Sequence, residues 1–370
     1  MSSRPLPDLG AVVRAFRIDG FFQDGAPHGN GHINDTYAVR FEKDGQPFRV
    51  ILQRINHTIF KDVPALMENI RRVTEHIRGR LAGLPGHDPA RETLTLIPAV
   101  DGGIFHQDAA GNFWRAYVFL EGLHVVEIVE TPTQAHEAGR AFADFQKWLA
   151  DLPAPRLTET IPDFHHTPRR FAALEAMIAA DPRNRAAEVQ PEIEFALARR
   201  EMASTLVDLL AKGELPERIT HNDTKINNVM LEDGSEHGTA VIDLDTVMPG
   251  LVHYDFGDQI RTSTCTGTED ERDLTKVSFR IGLFEGLARG YLEGAREFLT
   301  PREVDLLAFS GSLITFEIGI RFLTDFLQGD VYFKTRRPRH NLDRCRTQFA
   351  RVRAMEAARC QMEAVIARYR

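Results

Sequence analysis

The periodicity of the apolar residues changes once along this chain, near Glu121-Gly122, and no other feature limits its architecture as much. Before that point short segments alternate apolar and polar residues between turn signals. Residues 36–41 read as a strand, Asp44-Gly45 as a tight turn and 48–53 as the antiparallel partner. Pro64 opens an amphipathic helix over 65–78, with Leu66, Ile70, Val73 and Ile77 on one face. Further strands are expected over 94–100 and 114–120. Beyond Gly122 the period lengthens to that of a helix, over 135–149, 167–180, 192–211, 270–292, 301–328 and 343–369. A strand set and a helix set must each cover an apolar face, so this order predicts an α+β chain of two lobes with a cleft between. The expected lobes are 1–122 and 123–370, and 370 residues are enough for both.

Composition narrows the function classes. Lysine and arginine number 45 against 53 aspartates and glutamates, a formal net charge of −8. Affinity for a phosphate backbone comes from clustered cations, so nucleic acid is set aside as a partner. Any anionic ligand has to be held by a local site. Cys265, Cys345 and Cys360 are too few and too scattered for a disulfide framework, which fits a reducing compartment. The first ten residues are polar, and no run reaches the ~18 consecutive apolar residues of a membrane helix. A cytoplasmic protein without a membrane partner is expected. His28 and His165-His166 lack partners at metal-ligand spacing, so no zinc site is assigned.

The helical part has one strand-like interruption. Residues 227–231 and 239–244 flank Asp233-Gly234-Ser235, the pattern of a hairpin. Hairpin arms lie about 5 Å apart, which predicts Asn228 and Asp243 in one small volume beside Asp223. Two carboxylates and a carboxamide oxygen are hard ligands that suit Mg²⁺, an ion that completes its shell with water and substrate phosphates.

His221-Asn222-Asp223, with Asn228 five residues on and Ile242-Asp243 on the next strand, resembles the catalytic loop of the aminoglycoside phosphotransferase and choline kinase group of kinase-like enzymes. The resemblance implies a protein-kinase-like fold with a sheet-rich nucleotide-binding lobe and a mostly helical catalytic lobe. It implies ATP as co-substrate, Asp223 as the catalytic base at the acceptor hydroxyl, and Asn228 and Asp243 as magnesium ligands. Residues 29–36, directly before a strand, resemble the nucleotide-phosphate loop of the same enzymes. Gly29 and Gly31 let the backbone approach phosphate oxygens, and His32 and Asn34 add donors. A kinase lobe usually offers a lysine on its third strand, and residues 50–56 contain none. Gln53 or Arg54 has to stand in for it, with Glu68 as the helix partner. Phe119 to Glu121 resembles the linker whose backbone pairs with the purine edge.

The stretches 29–37, 51–56, 66–70, 161–164, 221–225, 242–250, 254–258, 321–327, 332–333 and 340–348 are similar to N-acetylhexosamine 1-kinases in particular. That likeness implies a sugar lying over Asp223, with Arg321 and Tyr332 holding its hydroxyl and acetamido groups. A forked guanidinium and a phenol suit so many donors and acceptors. The other readings are a relative acting on an amino alcohol or an aminoglycoside, and a nucleotide-binding module without turnover. Phe142, Phe145 and Trp148 fall at helical spacing and read as core. Lys334, Arg336, Arg337 and Arg339 form the densest basic run and read as a solvated loop, the other reading being attraction of ATP or a sugar phosphate to the cleft mouth.

Overall fold

A computed structural model of the chain describes residues 7–29 and 33–370. It divides into two compact units. The first comprises Met1–Leu123, Leu152–Ile161 and Thr239–Val247; the second comprises His124–Asp151, Pro162–Gly238 and Met248–Arg370. The first unit therefore takes two segments from beyond Gly122. Both are tied to the helix Val63–Leu81 through the buried Asn69, whose amide donates to the carbonyls of Thr158 (2.7 Å) and Val247 (3.2 Å) and accepts from the Thr158 N–H (3.1 Å).

The first unit is built on an antiparallel sheet of β1 (Phe21–Pro27), β2 (Asp35–Lys43), β3 (Gln46–Ile55), β4 (Leu96–Ile97), β5 (His106–Gln107) and β6 (Phe113–Val118), in the order β1-β2-β3-β6-β4 with β5 on β6. Lys43 pairs with Gln46 across Asp44 and Gly45, both at positive φ (51° and 75°). This two-residue turn matches the strand twist, and glycine takes the second position without strain. Alternation sends Val39, Phe41, Val50, Leu52, Trp114 and Ala116 to one face, where they pack against Leu9, Val13 and Phe16. Each large apolar side chain buried there contributes about 1.5–3 kcal/mol. β1 escapes sequence reading because it is an edge strand with exposed Phe21 and Phe22. The expected strand over 94–100 shrinks to two residues, with Pro98 following at once. Helix Val63–Leu81 starts at an Asp62 cap that accepts from the Ala65 N–H, and it buries Leu66, Ile70, Val73 and Ile77 as the periodicity requires.

The second unit is helical. Helices Pro132–Leu149 and Ile281–Ala295 approach so closely that an added Cβ on Gly290 would sit 2.0 Å from the His136 carbonyl oxygen, and one on Gly139 2.4 Å from that of Leu287. Thr167–Ala180 has the expected bounds. The expected helix over 270–292 begins only at Ile281. Asp270 is instead bound to Arg337 (2.8 Å) and His340 (3.0 Å), long-range partners that hold the preceding stretch out of a helix. The 192–211 segment breaks into Gln190–Leu197 and Arg200–Ala211, where Arg199 turns to the Glu356 carboxylate. Residues 343–369 likewise form two helices, His340–Ala357 and Arg359–Tyr369. Among the described residues one helix, Leu307–Gln328, is long and apolar enough to cross a membrane, yet 78% of that stretch is buried inside the unit as its central helix.

Candidate active site

The strand Arg218–Thr220 runs antiparallel to Met248–Gly250 and delivers the chain into His221-Asn222-Asp223. Asn222 is left-handed (φ 64°), a conformation that asparagine tolerates better than most residues. The loop is fixed by Asp255 on helix Val252–Ser263, whose carboxylate accepts the backbone N–H groups of His221 (2.9 Å) and Asn222 (2.7 Å). Gln146 donates to the same carboxylate (2.6 Å), and the Tyr291 hydroxyl donates to Gln146 (2.6 Å). Complete burial pushes the Asp255 carboxyl above its ordinary pKa, although His221 and these donors pull the other way. The His221 ring lies against Phe142 and Phe145, at 5.3 and 5.8 Å, so the two phenylalanines read as core pack the loop itself.

Asp223 emerges from this support half-buried. Its Oδ1 faces the Lys225 ammonium at 3.0 Å, and Asn228 donates its amide to the Asp223 carbonyl at 2.8 Å. The amide nitrogen of Asn228 is engaged in this way, and its Oδ1 is a neutral, hard oxygen of the kind magnesium takes. The Thr224 N–H donates to Asp258 (3.0 Å), itself paired with Arg261 (2.6 Å). The Glu232 N–H donates to the His237 carbonyl, closing the turn at Asp233-Gly234. Asp243 lies in the first unit, left-handed (φ 61°), directly before a short turn of helix, Leu244–Thr246.

The nucleotide-side candidates also lie in the first unit, and the structure places them on different faces. Gly29 is left-handed (φ 73°) in open space; Gly31 and His32 fall outside the described residues. Asn34 donates to Asp245 (2.6 Å) and accepts from the Asn56 N–H (3.0 Å). Gln53 faces Thr36 on one neighbouring strand and Arg115 on the other: it donates to Thr36 Oγ1 and accepts from Arg115 Nε, each at 2.9 Å. Arg54 points to the opposite face, where it pairs with Asp35 (2.9 Å), because successive strand residues alternate. Of the two substitutes left open by the sequence, only Gln53 shares a face with Thr36. Glu68, expected to partner that strand residue, is exposed and held by Arg71 (2.6 Å). Phe119 carries the Arg49 guanidinium 3.7 Å above its ring, and Arg49 also binds Glu121 (2.9 Å).

On the second unit, Arg321 and Tyr332 belong to one cluster. The Arg321 guanidinium lies 5.7 Å from the ring centres of both Phe164 and Phe333, and Tyr332, 69% exposed, packs its ring on Phe333. Glu317, one turn before Arg321, is engaged by His165 (2.9 Å) and Thr167 (2.6 Å). Burial opposes ionisation of Glu317, but His165 and Arg321 together hold its carboxyl below the ordinary value. The other ring nitrogen of His165 donates to the Asn222 carbonyl (3.3 Å), which links the cluster to the loop carrying Asp223. Arg170 donates to the carbonyls of Asp163 and Phe164 (3.1 and 3.2 Å), and burial together with the like charge of Arg321 lowers its pKa. Within the basic run Arg337 pairs with Asp270 and Asp343, and Arg339 with Glu188.

Residues 24–301 match the model of the phosphotransferase enzyme family known as APH, which spans most of the chain. The chain belongs to that family. Its fold is shared by solved structures of low identity. One is an aminoglycoside phosphotransferase from Alicyclobacillus acidocaldarius (13% identity, 99% of this chain and 98% of that one covered, TM-score 0.63). Others are a microcompartment-associated aminopropanol kinase (16%, 95% and 97%, 0.57) and a spectinomycin phosphotransferase in complex with ADP and spectinomycin (13%, 95% and 99%, 0.57).

For a phosphotransferase of this family the sequence reading omitted several groups that hold the site. Asp255 and Asp258 were visible only as part of a family-like stretch, since a carboxylate that binds backbone N–H groups thirty residues away leaves no local pattern. Asp245 likewise stands only inside the stretch 242–250 and Arg115 only inside the strand expected over 114–120, with no local sign that the two pair. His165 lacks metal-ligand spacing, yet it bonds both Glu317 and the Asn222 carbonyl and so joins the Arg321 cluster to the loop carrying Asp223.

Proposed function

We propose that this phosphotransferase is an ATP- and Mg²⁺-dependent kinase acting on the C1 hydroxyl of an N-acetylhexosamine, N-acetylglucosamine or N-acetylgalactosamine. The observation that carries the choice of acceptor is the pair of guanidinium groups, Arg170 and Arg321, beside Phe164, Phe333 and Tyr332. An ammonium-bearing acceptor there would face two guanidinium groups, whose charge the Glu317 and Asp163 carboxylates offset only in part. A neutral sugar offers oxygens to the guanidinium fork and an apolar ring face to the aromatic side chains.

In this reading Asp223 accepts the hydrogen bond of the C1 hydroxyl and aims its oxygen at the γ-phosphorus. The new O–P bond forms as the bond to the β-phosphate oxygen breaks, ADP leaves, and Asp223 takes the proton. Lys225, whose ammonium lies 3.0 Å from Asp223 Oδ1, holds that carboxylate in place. Asn228 through Oδ1 and Asp243 would hold magnesium, which supplies neutralisation of the phosphate charge when bound. Positioning and charge compensation carry most of such a reaction, which agrees with how much of the chain is spent on fixing one loop.

The test is a panel of N-acetylglucosamine, N-acetylgalactosamine, glucose, choline, aminopropanol and an aminoglycoside, each with ATP and magnesium. ADP release and the ³¹P spectrum of the product are followed. Preference for an N-acetylhexosamine with phosphate on C1 is expected, and preference for an amine-bearing acceptor rejects the acceptor assignment. Asp223→Asn should lower kcat about 10²-fold or more with nucleotide binding kept. Unchanged turnover rejects Asp223 as base.

A further inference from the structure

Five polar side chains of the first unit close into a single chain of hydrogen bonds. Thr36 accepts from Gln53, Gln53 accepts from Arg115 Nε, Arg115 Nη1 donates to Asp245 Oδ1 (2.5 Å), and Asp245 Oδ2 accepts from Asn34 (2.6 Å). Arg115 is 1% exposed and Asp245 3%, so this is a fully buried ion pair. Arg115 Nη1 also approaches the Met67 sulfur (3.9 Å), beside the position of Glu68 on helix Val63–Leu81. The network thus joins Asn34, just before β2, the strand position without a lysine, and the turn that carries Asp243.

Deepening the kinase reading on which it rests, we infer that Arg115, from β6 and not β3, is the positioning cation of the nucleotide side, with Asp245 as its carboxylate in place of Glu68. A lysine is a point charge with one centre. The guanidinium fork holds Gln53 and Asp245 at once and so sets the strand and the Asp243 turn in one geometry. A buried pair of this kind adds little net stability, because desolvation offsets the attraction, so its use is the geometry it fixes.

The experiment exploits that property. Replacing both partners by apolar groups, Arg115→Met with Asp245→Leu, removes the pair without leaving a lone buried charge. Binding of N-methylanthraniloyl-ADP with magnesium is titrated on the wild type, this double variant and Arg115→Lys. Amide hydrogen exchange is followed over 33–36 and 243–247. The double variant is expected to bind the Mg-nucleotide at least tenfold more weakly, Arg115→Lys three- to tenfold more weakly, and both to exchange faster in those two segments. Acceptor KM should stay within threefold. Wild-type nucleotide affinity in the double variant overturns the inference. Should that variant not fold, wild-type affinity in Arg115→Lys does so. A wild-type protein that binds no Mg-nucleotide overturns the kinase reading itself, which separates the two failures.

Discussion

Asp325 sits one turn after Arg321 and is 3% exposed, and its carboxylate organises the loop that presents Tyr332. Oδ1 accepts the N–H groups of Val331 (2.9 Å) and Tyr332 (2.8 Å); Oδ2 accepts the N–H of Phe333 (2.9 Å) and the Asn341 amide (2.8 Å). Asp325→Asn keeps the size of the side chain but turns one acceptor into a donor, which then faces two donors. Hydrogen bonds to a charged group are worth about 1.5–3 kcal/mol each, and those to exposed loop amides less because water replaces the lost partner. Two bonds lost at roughly 1 kcal/mol each give about 2 kcal/mol. If that energy holds the loop in its acceptor-binding form, the acceptor KM rises by up to about 30-fold, at 1.4 kcal/mol per tenfold. The assay is steady-state kinetics with each substrate varied, together with hydrogen exchange over 329–333. An acceptor KM within twofold of wild type, with loop exchange accelerated, would refute the link between this loop and the acceptor. A shift in the ATP KM alone would place the loop on the wrong substrate.

Gly290→Ala should destabilise the protein by about 2 kcal/mol or more and lower Tm. A methyl 2.0 Å from the His136 carbonyl forces the two helices apart, against the ~1 kcal/mol that alanine normally gains over glycine in a helix; a raised Tm would contradict the close crossing. His165→Phe removes the bonds to Glu317 and the Asn222 carbonyl while keeping an aromatic ring against Tyr254. A fall in kcat of about tenfold is expected with the ATP KM within threefold, and a variant with unchanged kcat and only a lower Tm would make His165 purely structural. Glu137 is partly buried, which alone would raise its pKa, but Arg140 (2.7 Å) and the Gly238 N–H (3.0 Å) bring it down to about 2. A carboxyl depressed on folding contributes stability above its unfolded value, near 4.5, and loses it as pH falls toward 2. After discounting for solvent screening, Glu137→Gln should cost about 1–2 kcal/mol in urea unfolding at pH 7, with the gap to wild type narrowing below pH 4.5. A gap independent of pH would show that the charge of Glu137 is not what stabilises.

What the sequence alone determined is whatever depends on neighbours along the chain. The Asp44-Gly45 turn needs two left-handed residues, the face of helix Val63–Leu81 needs apolar residues at helical spacing, and the loop from His221 to Asn228 holds its family-like residues within eight positions. Such features are set by local backbone preference and by one-sided burial, and both are periodic in the sequence. Only the tertiary structure decided what depends on partners far along the chain. Asp255 binds the His221 and Asn222 amides across more than thirty residues, Arg115 meets Asp245 across 130, and His165 meets Glu317 across 152. It also decided that Arg54 faces away from Gln53 and that Glu68 turns to Arg71. The reason is the same throughout: a buried polar group must find a partner, but the chain can supply that partner from anywhere, so the need is written in the sequence and the identity is not.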